Sequence, residues 1–308
     1  MRVLIADEVD RECSSRLRAS GFVVDEKFEI SPEELRKIIG DYEILLVRSR
    51  TKVNQEVIAA GTKLKFIGRI GVGLDTIDTK AAEARGIKVA NTPQMSTIAV
   101  AELVLSMMLN LVRNVHLANE SVKKGLWEKK KFQGIELNGK TLGIVGFGRI
   151  GKAVAERSKS FGMSLLVYDV LVDEPTLNKL GAERVSSLED LLKRSDFVTL
   201  HVPLLPETRK MINAKTLALF KPGAFLINAS RGEVVDCKDL LDALKSKKIA
   251  GAGLDVYENE PPKDLWEKEL VSLANVVATP HIGAQTSEAQ VAGAIMIAEN
   301  IINSIKPL

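Results

Sequence analysis

Three short stretches carry side chains able to move a proton and hold an anion. They are Asn228-Ala229-Ser230-Arg231-Gly232, Leu254-Asp255-Val256-Tyr257-Glu258-Asn259-Glu260-Pro261 and Thr279-Pro280-His281-Ile282-Gly283. Histidine suits general acid–base work because its ordinary pKa, about 6.5, lies near working pH. A carboxylate on the far ring nitrogen fixes the tautomer and stabilises the imidazolium that forms. Arginine grips a substrate carboxylate with two parallel bonds and polarises the neighbouring oxygen. Arg231, Asp255 or Glu260, and His281 are therefore the parts needed to oxidise an alcohol to a ketone, with a base for the hydroxyl proton while hydride leaves the carbon. Each residue also has a plainer reading: His281 as an ordinary loop histidine, Glu258 and Glu260 as solvated loop charges. All three stretches follow apolar runs of strand length, where an open α/β sheet holds its ligand, and that favours a shared site. His201 and His116 have no such company and read as packed or surface histidines.

A hydride needs an acceptor, and Thr141-Leu142-Gly143-Ile144-Val145-Gly146-Phe147-Gly148-Arg149-Ile150-Gly151 supplies a place for one. The apolar run reads as a strand, and Ala153, Val154, Ala155 and Phe161 mark the helix that follows. In Gly146-x-Gly148-x-x-Gly151 the first glycine makes the tight turn, the second admits a pyrophosphate, and the third lets helix and strand close up. The pyrophosphate then sits on the helix N-terminus, where N–H groups and the dipole favour an anion. A second strand, Ser164–Tyr168, ends at Asp169, about 20 residues on, where a carboxylate binds ribose hydroxyls and repels a 2′-phosphate. This order of elements points to NAD rather than NADP.

Positioning these residues takes two α/β domains. In the first ninety residues Val3–Ala6, Phe22–Val24, Ile44–Val47, Phe66–Ile70 and Ile87–Ala90 are strand-length apolar runs with helices between. One helix has a clear start, with Ser31 as N-cap, Pro32 at the first position and Glu34 closing a capping box. Farther on, Phe197–Leu200, Ala224–Ile227, Gly253–Val256 and Val276–Ala278 continue the alternation, which implies parallel sheets covered on both faces. The segment from about Thr97 to Asn114 reads as a buried helix. Glu288–Ser304 reads as an amphipathic helix folding back onto the N-terminal domain. The expected fold is two doubly wound, Rossmann-like parallel-sheet domains: residues 1–95 plus 283–308 for substrate, and 96–282 for NAD.

Arg48-Ser49-Arg50-Thr51 and Gly68-Arg69-Ile70-Gly71-Val72-Gly73-Leu74-Asp75 each follow a strand of the first domain. Arginines and glycine-rich loops at strand ends suit a carboxylate or phosphate, and equally serve as solvated charges and turns. The run from Lys123 to Lys131 is either a solvated face or a basic arm reaching an anionic substrate.

Composition narrows the classes. The chain has 308 residues, enough for two cores, and its 43 basic and 40 acidic residues nearly cancel. Such a balance gives no footing for a nucleic-acid or polybasic membrane partner. Cys13 and Cys237 are isolated, so neither a disulfide nor a metal site is expected and a reducing cytoplasm is the default. Val3–Ala6 is too short for a signal peptide, and Ile98–Val112 is broken by Glu102 and Asn110.

The Gly-x-Gly-x-x-Gly turn, Asp169, Asn-Ala-Ser-Arg231-Gly, Leu-Asp255-Val-x-x-x-Glu260-Pro and Pro-His281-Ile-Gly together resemble the D-2-hydroxyacid dehydrogenases, from about Arg2 to Ser304. Arg48-Ser49-Arg50-Thr51-Lys52-Val53, the Gly68–Asp75 stretch, Trp127-Glu128 and Leu137-Asn138-Gly139-Lys140-Thr141 are most similar to the branch that acts on D-3-phosphoglycerate. The resemblance implies NAD-dependent oxidation of D-3-phosphoglycerate to 3-phosphohydroxypyruvate, on the way to L-serine. It implies Arg231, Glu260 and His281 as the catalytic set. The backbone at Gly146, Gly148, Arg149, Ile150 and Gly151 would hold the pyrophosphate and Asp169 the ribose. Val72, Val202, Pro203, Ala229, Ser230, Asp255, Gly283 and Ala284 would line the rest of the NAD site, with Asp255 on the carboxamide. Arg48, Ser49, Arg69, Val72, Gly73 and Lys129 join Arg231 and His281 as substrate contacts. Lys129 is a point charge where some relatives place arginine. The family habit implies a homodimer through the long helix, with a tetramer open. The sequence ends shortly after His281, which implies a short form without regulatory domains. Two other functions share the same motifs: a glyoxylate or hydroxypyruvate reductase, and an NAD-sensing binding protein.

Overall fold

Two all-parallel sheets organise the chain, each formed where apolar runs alternate with capped helices. A computed structural model describes residues 1–305. It divides into two compact units, one comprising Met1–Ser96 with the segment from Ala284 onward, the other Thr97–Gly283.

In the first unit the strands are β1 (Arg2–Ile5), β2 (Val23–Glu26), β3 (Ile44–Val47), β4 (Phe66–Arg69) and β5 (Lys88–Asn91), in the order β2-β1-β3-β4-β5. Every residue of β3 and β4 is buried, as strands covered on both faces require. Asp10, Ser31, Asn54 and Asp78 each accept a first-turn N–H and start the intervening helices. Ser31 makes only half the expected capping box: it accepts the Glu34 N–H at 3.2 Å, while the Glu34 carboxylate lies 3.9 Å from Lys27 Nζ. The edge strand β2 runs two residues past its apolar signal, because Asp25 and Glu26 pair with Leu4 and Ile5 of β1. The last helix, Ser287–Ser304, packs into this unit. Ile297 lies against Gly68 of β4, and Gly293 lies against Met95 and Ile70.

The second unit holds β6 (Thr141–Val145), β7 (Ser164–Tyr168), β8 (Glu183–Arg184), β9 (Phe197–Leu200), β10 (Phe225–Asn228), β11 (Gly251–Leu254) and β12 (Val276–Ala278). Their order is β12-β11-β10-β9-β6-β7-β8. The chain leaves β6 toward β7 and β8, then returns to β9 on the other side. Ligands bind such sheets at the carboxyl ends of the two strands that flank this reversal.

One core cluster, with Leu200 and Leu226, covers one face, and another, with Ile144 and Ile227, covers the other. The helix Thr97–Arg113 buries nine residues, eight of them in the cluster on that second face, then bends by 62° at Asn114 into Val115–Lys123. Among the described residues no single helix is long and apolar enough to cross a membrane. The strand expected at Gly253–Val256 starts earlier, at Gly251. Its small residues give little apolar signal, yet they make room for Leu111 and Met107 of that helix.

Candidate active site

At the end of β6 Gly146 has φ +94°, and a Cβ there would meet the His201 carbonyl oxygen at 2.7 Å. Gly151 presses so closely on the Gly146 carbonyl that a Cβ would overlap it. Gly148 is different, with no atom within 4 Å of where its Cβ would lie. It is also the N-cap of the helix Arg149–Ser160, which starts with no side-chain cap. An open glycine beside an uncapped helix start fits a pyrophosphate, whose oxygens would take the first-turn N–H groups. Asp169, at the end of β7, accepts the Phe147 N–H and, at 2.8 Å, the Leu171 N–H. The first bond anchors the glycine turn and the second shapes the loop after β7, and a carboxylate has about four lone-pair sites, leaving capacity for ribose hydroxyls. Val202 and Pro203, after β9, are half-buried and exposed respectively.

The three strand-end stretches converge. His281 Nδ1 lies 2.7 Å from Glu260 Oε2. With Glu260 ionised, Nδ1 carries the proton and Nε2 presents a lone pair for a substrate proton. The Glu260 bond raises the His281 pKa above its ordinary value, against burial, which lowers it. Burial pushes the Glu260 carboxyl upward, but the bond and charge of His281, the Tyr257 N–H and, least, the Arg231 charge together outweigh it and leave it below its usual range. Arg231 therefore acts on both partners, favouring an ionised Glu260 and opposing a charged His281. His281 itself has φ 53°, in the left-handed region that non-glycine residues seldom enter.

The surroundings explain how these loops keep their shape. Asn228, 1% exposed at the end of β10, accepts from the Ser230 N–H at 3.1 Å and its hydroxyl at 2.8 Å, and donates to the Arg231 carbonyl at 2.9 Å. That is an Asx turn, and it aims Arg231. Asp255 accepts the Thr279 hydroxyl at 2.6 Å, the Ile282 N–H at 2.7 Å and the Gly283 N–H at 2.8 Å. Its carboxylate thus straps the His281 loop to β11. Burial raises the Asp255 pKa, and those bonds partly offset the rise. Sequence reading missed Glu267. It is 3% exposed and accepts the Asn259 N–H at 3.3 Å and side-chain amide at 3.0 Å, the Lys263 N–H at 2.7 Å and the Asp264 N–H at 2.9 Å. The loop is pinned on either side of Glu260, and the Asp-x-x-Glu spacing of Asp264 and Glu267 was the available signal.

His201 is packed, 3.0 Å from the Thr199 hydroxyl, and burial pushes it down to about 3. Arg48, Ser49, Arg69, Val72, Gly73 and Ala284 belong to the first unit. There Asp7, after β1, accepts the Arg48 N–H at 2.6 Å, the Thr51 N–H at 3.2 Å and the Thr51 hydroxyl at 2.6 Å, and pairs with Arg50 at 2.9 Å. The amides after β3 thus hold a carboxylate of the chain. Arg48 donates to the Glu8 carbonyl at 3.2 Å, and Arg69 donates to the Gly73 carbonyl and lies 3.7 Å from Asp75. Lys129 is exposed on the short turn Lys129–Phe132.

Residues 105–283 match the family model described as D-isomer specific 2-hydroxyacid dehydrogenase, NAD binding domain. The chain belongs to this family. It is 46% identical over 301 residues to a D-3-phosphoglycerate dehydrogenase of Methanocaldococcus jannaschii, covering 98% of this chain and 57% of that one. It is 44% identical over 304 residues to a hydroxypyruvate reductase of Thermotoga maritima, covering 99% and 98%. Among solved structures, the Aquifex aeolicus D-lactate dehydrogenase complexed with NAD and lactic acid superposes with a TM-score of 0.84 at 31% identity, over 97% of this chain and 94% of that one. The chain spans a little over half the length of the phosphoglycerate dehydrogenases it matches. The match to the family's NAD-binding domain falls within unit two, and the glycine turn, Asp169, Arg231, Glu260 and His281 all lie in the matched residues.

Proposed function

We propose that this protein oxidises D-3-phosphoglycerate to 3-phosphohydroxypyruvate with NAD, on the way to L-serine. The observation that carries the reading is the His281–Glu260 pair, 2.7 Å apart with Nε2 left for a proton, under the charge of Arg231. NAD, when bound, supplies the acceptor for the hydride that leaves C2. The Arg149 and Ile150 amides beside Gly148 would hold its pyrophosphate, Asp169 its ribose and Asp255 its carboxamide. Arg231 grips the substrate carboxylate and draws electron density from the 2-oxygen as the ketone forms. His281 Nε2 takes the hydroxyl proton, and Glu260 stabilises the resulting imidazolium through Nδ1. Arg48, Arg69 and Lys129 are the candidates for the phosphate. The 46% identity to a protein named for this activity supports the substrate.

A second reading, reduction of hydroxypyruvate or glyoxylate, is favoured by the 44% identity to a hydroxypyruvate reductase. It uses the same proton path in reverse. A reducing cytoplasm belongs to the same proposal, supported by two buried free thiols, Cys13 and Cys237. A panel of acids with NAD and NADP separates the readings. NADH formation from D-3-phosphoglycerate, with little from D-glycerate or D-lactate, is expected. Equal or faster turnover of the unphosphorylated acids would replace the first reading by the second.

A further inference from the structure

Tyr257 stands where the three strand-end stretches meet, 9% exposed, although neither its type nor its spacing marks it for chemistry. Its backbone N–H donates to Glu260 Oε1 at 3.3 Å. Its hydroxyl lies 2.9 Å from the Thr279 carbonyl and 3.1 Å from the Leu254 carbonyl, so one proton is shared between the ends of β12 and β11. The same Thr279 carbonyl accepts the His281 N–H at 3.0 Å. The oxygen held by Tyr257 is therefore the one that holds the His281 backbone in its left-handed turn. The Tyr257 carbonyl packs against Gly232, next to Arg231, so closely that a Cβ on Gly232 would overlap it.

We propose that Tyr257 is a positioning residue that sets Arg231, Glu260 and His281 in register through its carbonyl, its N–H and its hydroxyl. The proposal deepens the catalytic reading above and rests on it. A tyrosine that only satisfied two strand-end carbonyls would stabilise the unit without touching the state of the imidazole. The two roles therefore separate at His281. The charged groups facing that ring are Glu260 and Asp255, which favour its protonated form, and Arg231, which opposes it. The Tyr257 phenol stays protonated throughout, since burial pushes it up to about 12.

The test is the proton NMR titration of the imidazoles in the full chain, which has three histidines, with H281A assigning the signal. In Y257F the ring volume is kept and only the hydroxyl is lost. The His281 pKa is expected to fall from its wild-type value toward that of E260Q. Adding Y257F to E260Q is expected to cause no further fall, because the pair through which Tyr257 acts is already gone. Y257L, also without a hydroxyl, should reproduce the shift. An unchanged titration in Y257F, a further fall in the double variant, or a fall in Y257L alone would overturn the proposal. On D-3-phosphoglycerate, kcat of Y257F should drop about tenfold, a fraction of what general acid–base catalysis contributes, with KM for NAD unchanged. The titration needs no substrate, so a failure of every acid to turn over would count against the catalytic reading and leave the titration to decide this one.

Discussion

The chemistry at the residue scale reduces to which nitrogen of His281 is free and what charge the ring prefers. Glu260 occupies Nδ1 and raises the ring's pKa, so the proposed oxidation, which needs a neutral base, should gain rate as pH rises through a value above about 6.5. Reduction needs the imidazolium and loses rate over the same interval. Removing the carboxylate in E260Q lowers that pKa, and the ascending limb of kcat/KM for oxidation moves to lower pH. The plateau falls as well, because the imidazolium formed in the transition state has lost its partner. A limb that stays in place would show that another group titrates. H281A should lower kcat by roughly 10²–10⁴ with the fold intact. Steady-state rates of a variant with wild-type melting behaviour check this, and an unchanged kcat would remove His281 from the mechanism.

Elements decide what the glycine turn tolerates. At Gly148 an added methyl meets nothing, so G148A should melt like the wild type while binding NADH at least tenfold more weakly. At Gly151 the methyl meets a backbone carbonyl that cannot swing aside, so G151A should lose stability of about 1–3 kcal/mol from overpacking. Thermal melts and NADH fluorescence titrations on the two variants separate the roles, and equal melting losses would contradict them. This turn was readable because its glycines, strand, helix and Asp169 are local in sequence. So were the ends of the strands that carry Arg231, Glu260 and His281, since strand-end polar residues break an apolar run. The straps were not readable. Asp255 holds donors on the far side of β12, and Asp7 fills the turn after β3 from the end of β1. These pairings exist only once parallel strands are in register. The start of β11 was hidden for a related reason: its glycines are small because a helix packs on them, which carries no apolar signal.

For the whole molecule the open matter is what covers the segment after the long helix. Val115 and Val122, seven residues apart on one face of the helix Val115–Lys123, are 55% and 57% exposed. Leu126 is 48% and Trp127 85% exposed just beyond. Such a run of large apolar side chains beside water is the mark of an interaction surface. Its cationic neighbours Lys123, Lys124 and Lys129–Lys131 would suit the rim of an interface rather than its centre. We expect a second copy of the chain to occupy it, so the protein should sediment at about twice the 33.6 kDa of one chain. The double variant V122D/W127E places two carboxylates in that surface without touching the glycine turn or the His281–Glu260 pair. It should sediment as a single chain while still binding NADH, because an interface cannot bury unpaired charges without a cost of several kcal/mol. A wild-type protein of single-chain mass would remove the dimer, and a variant that stays dimeric would move the interface to another face.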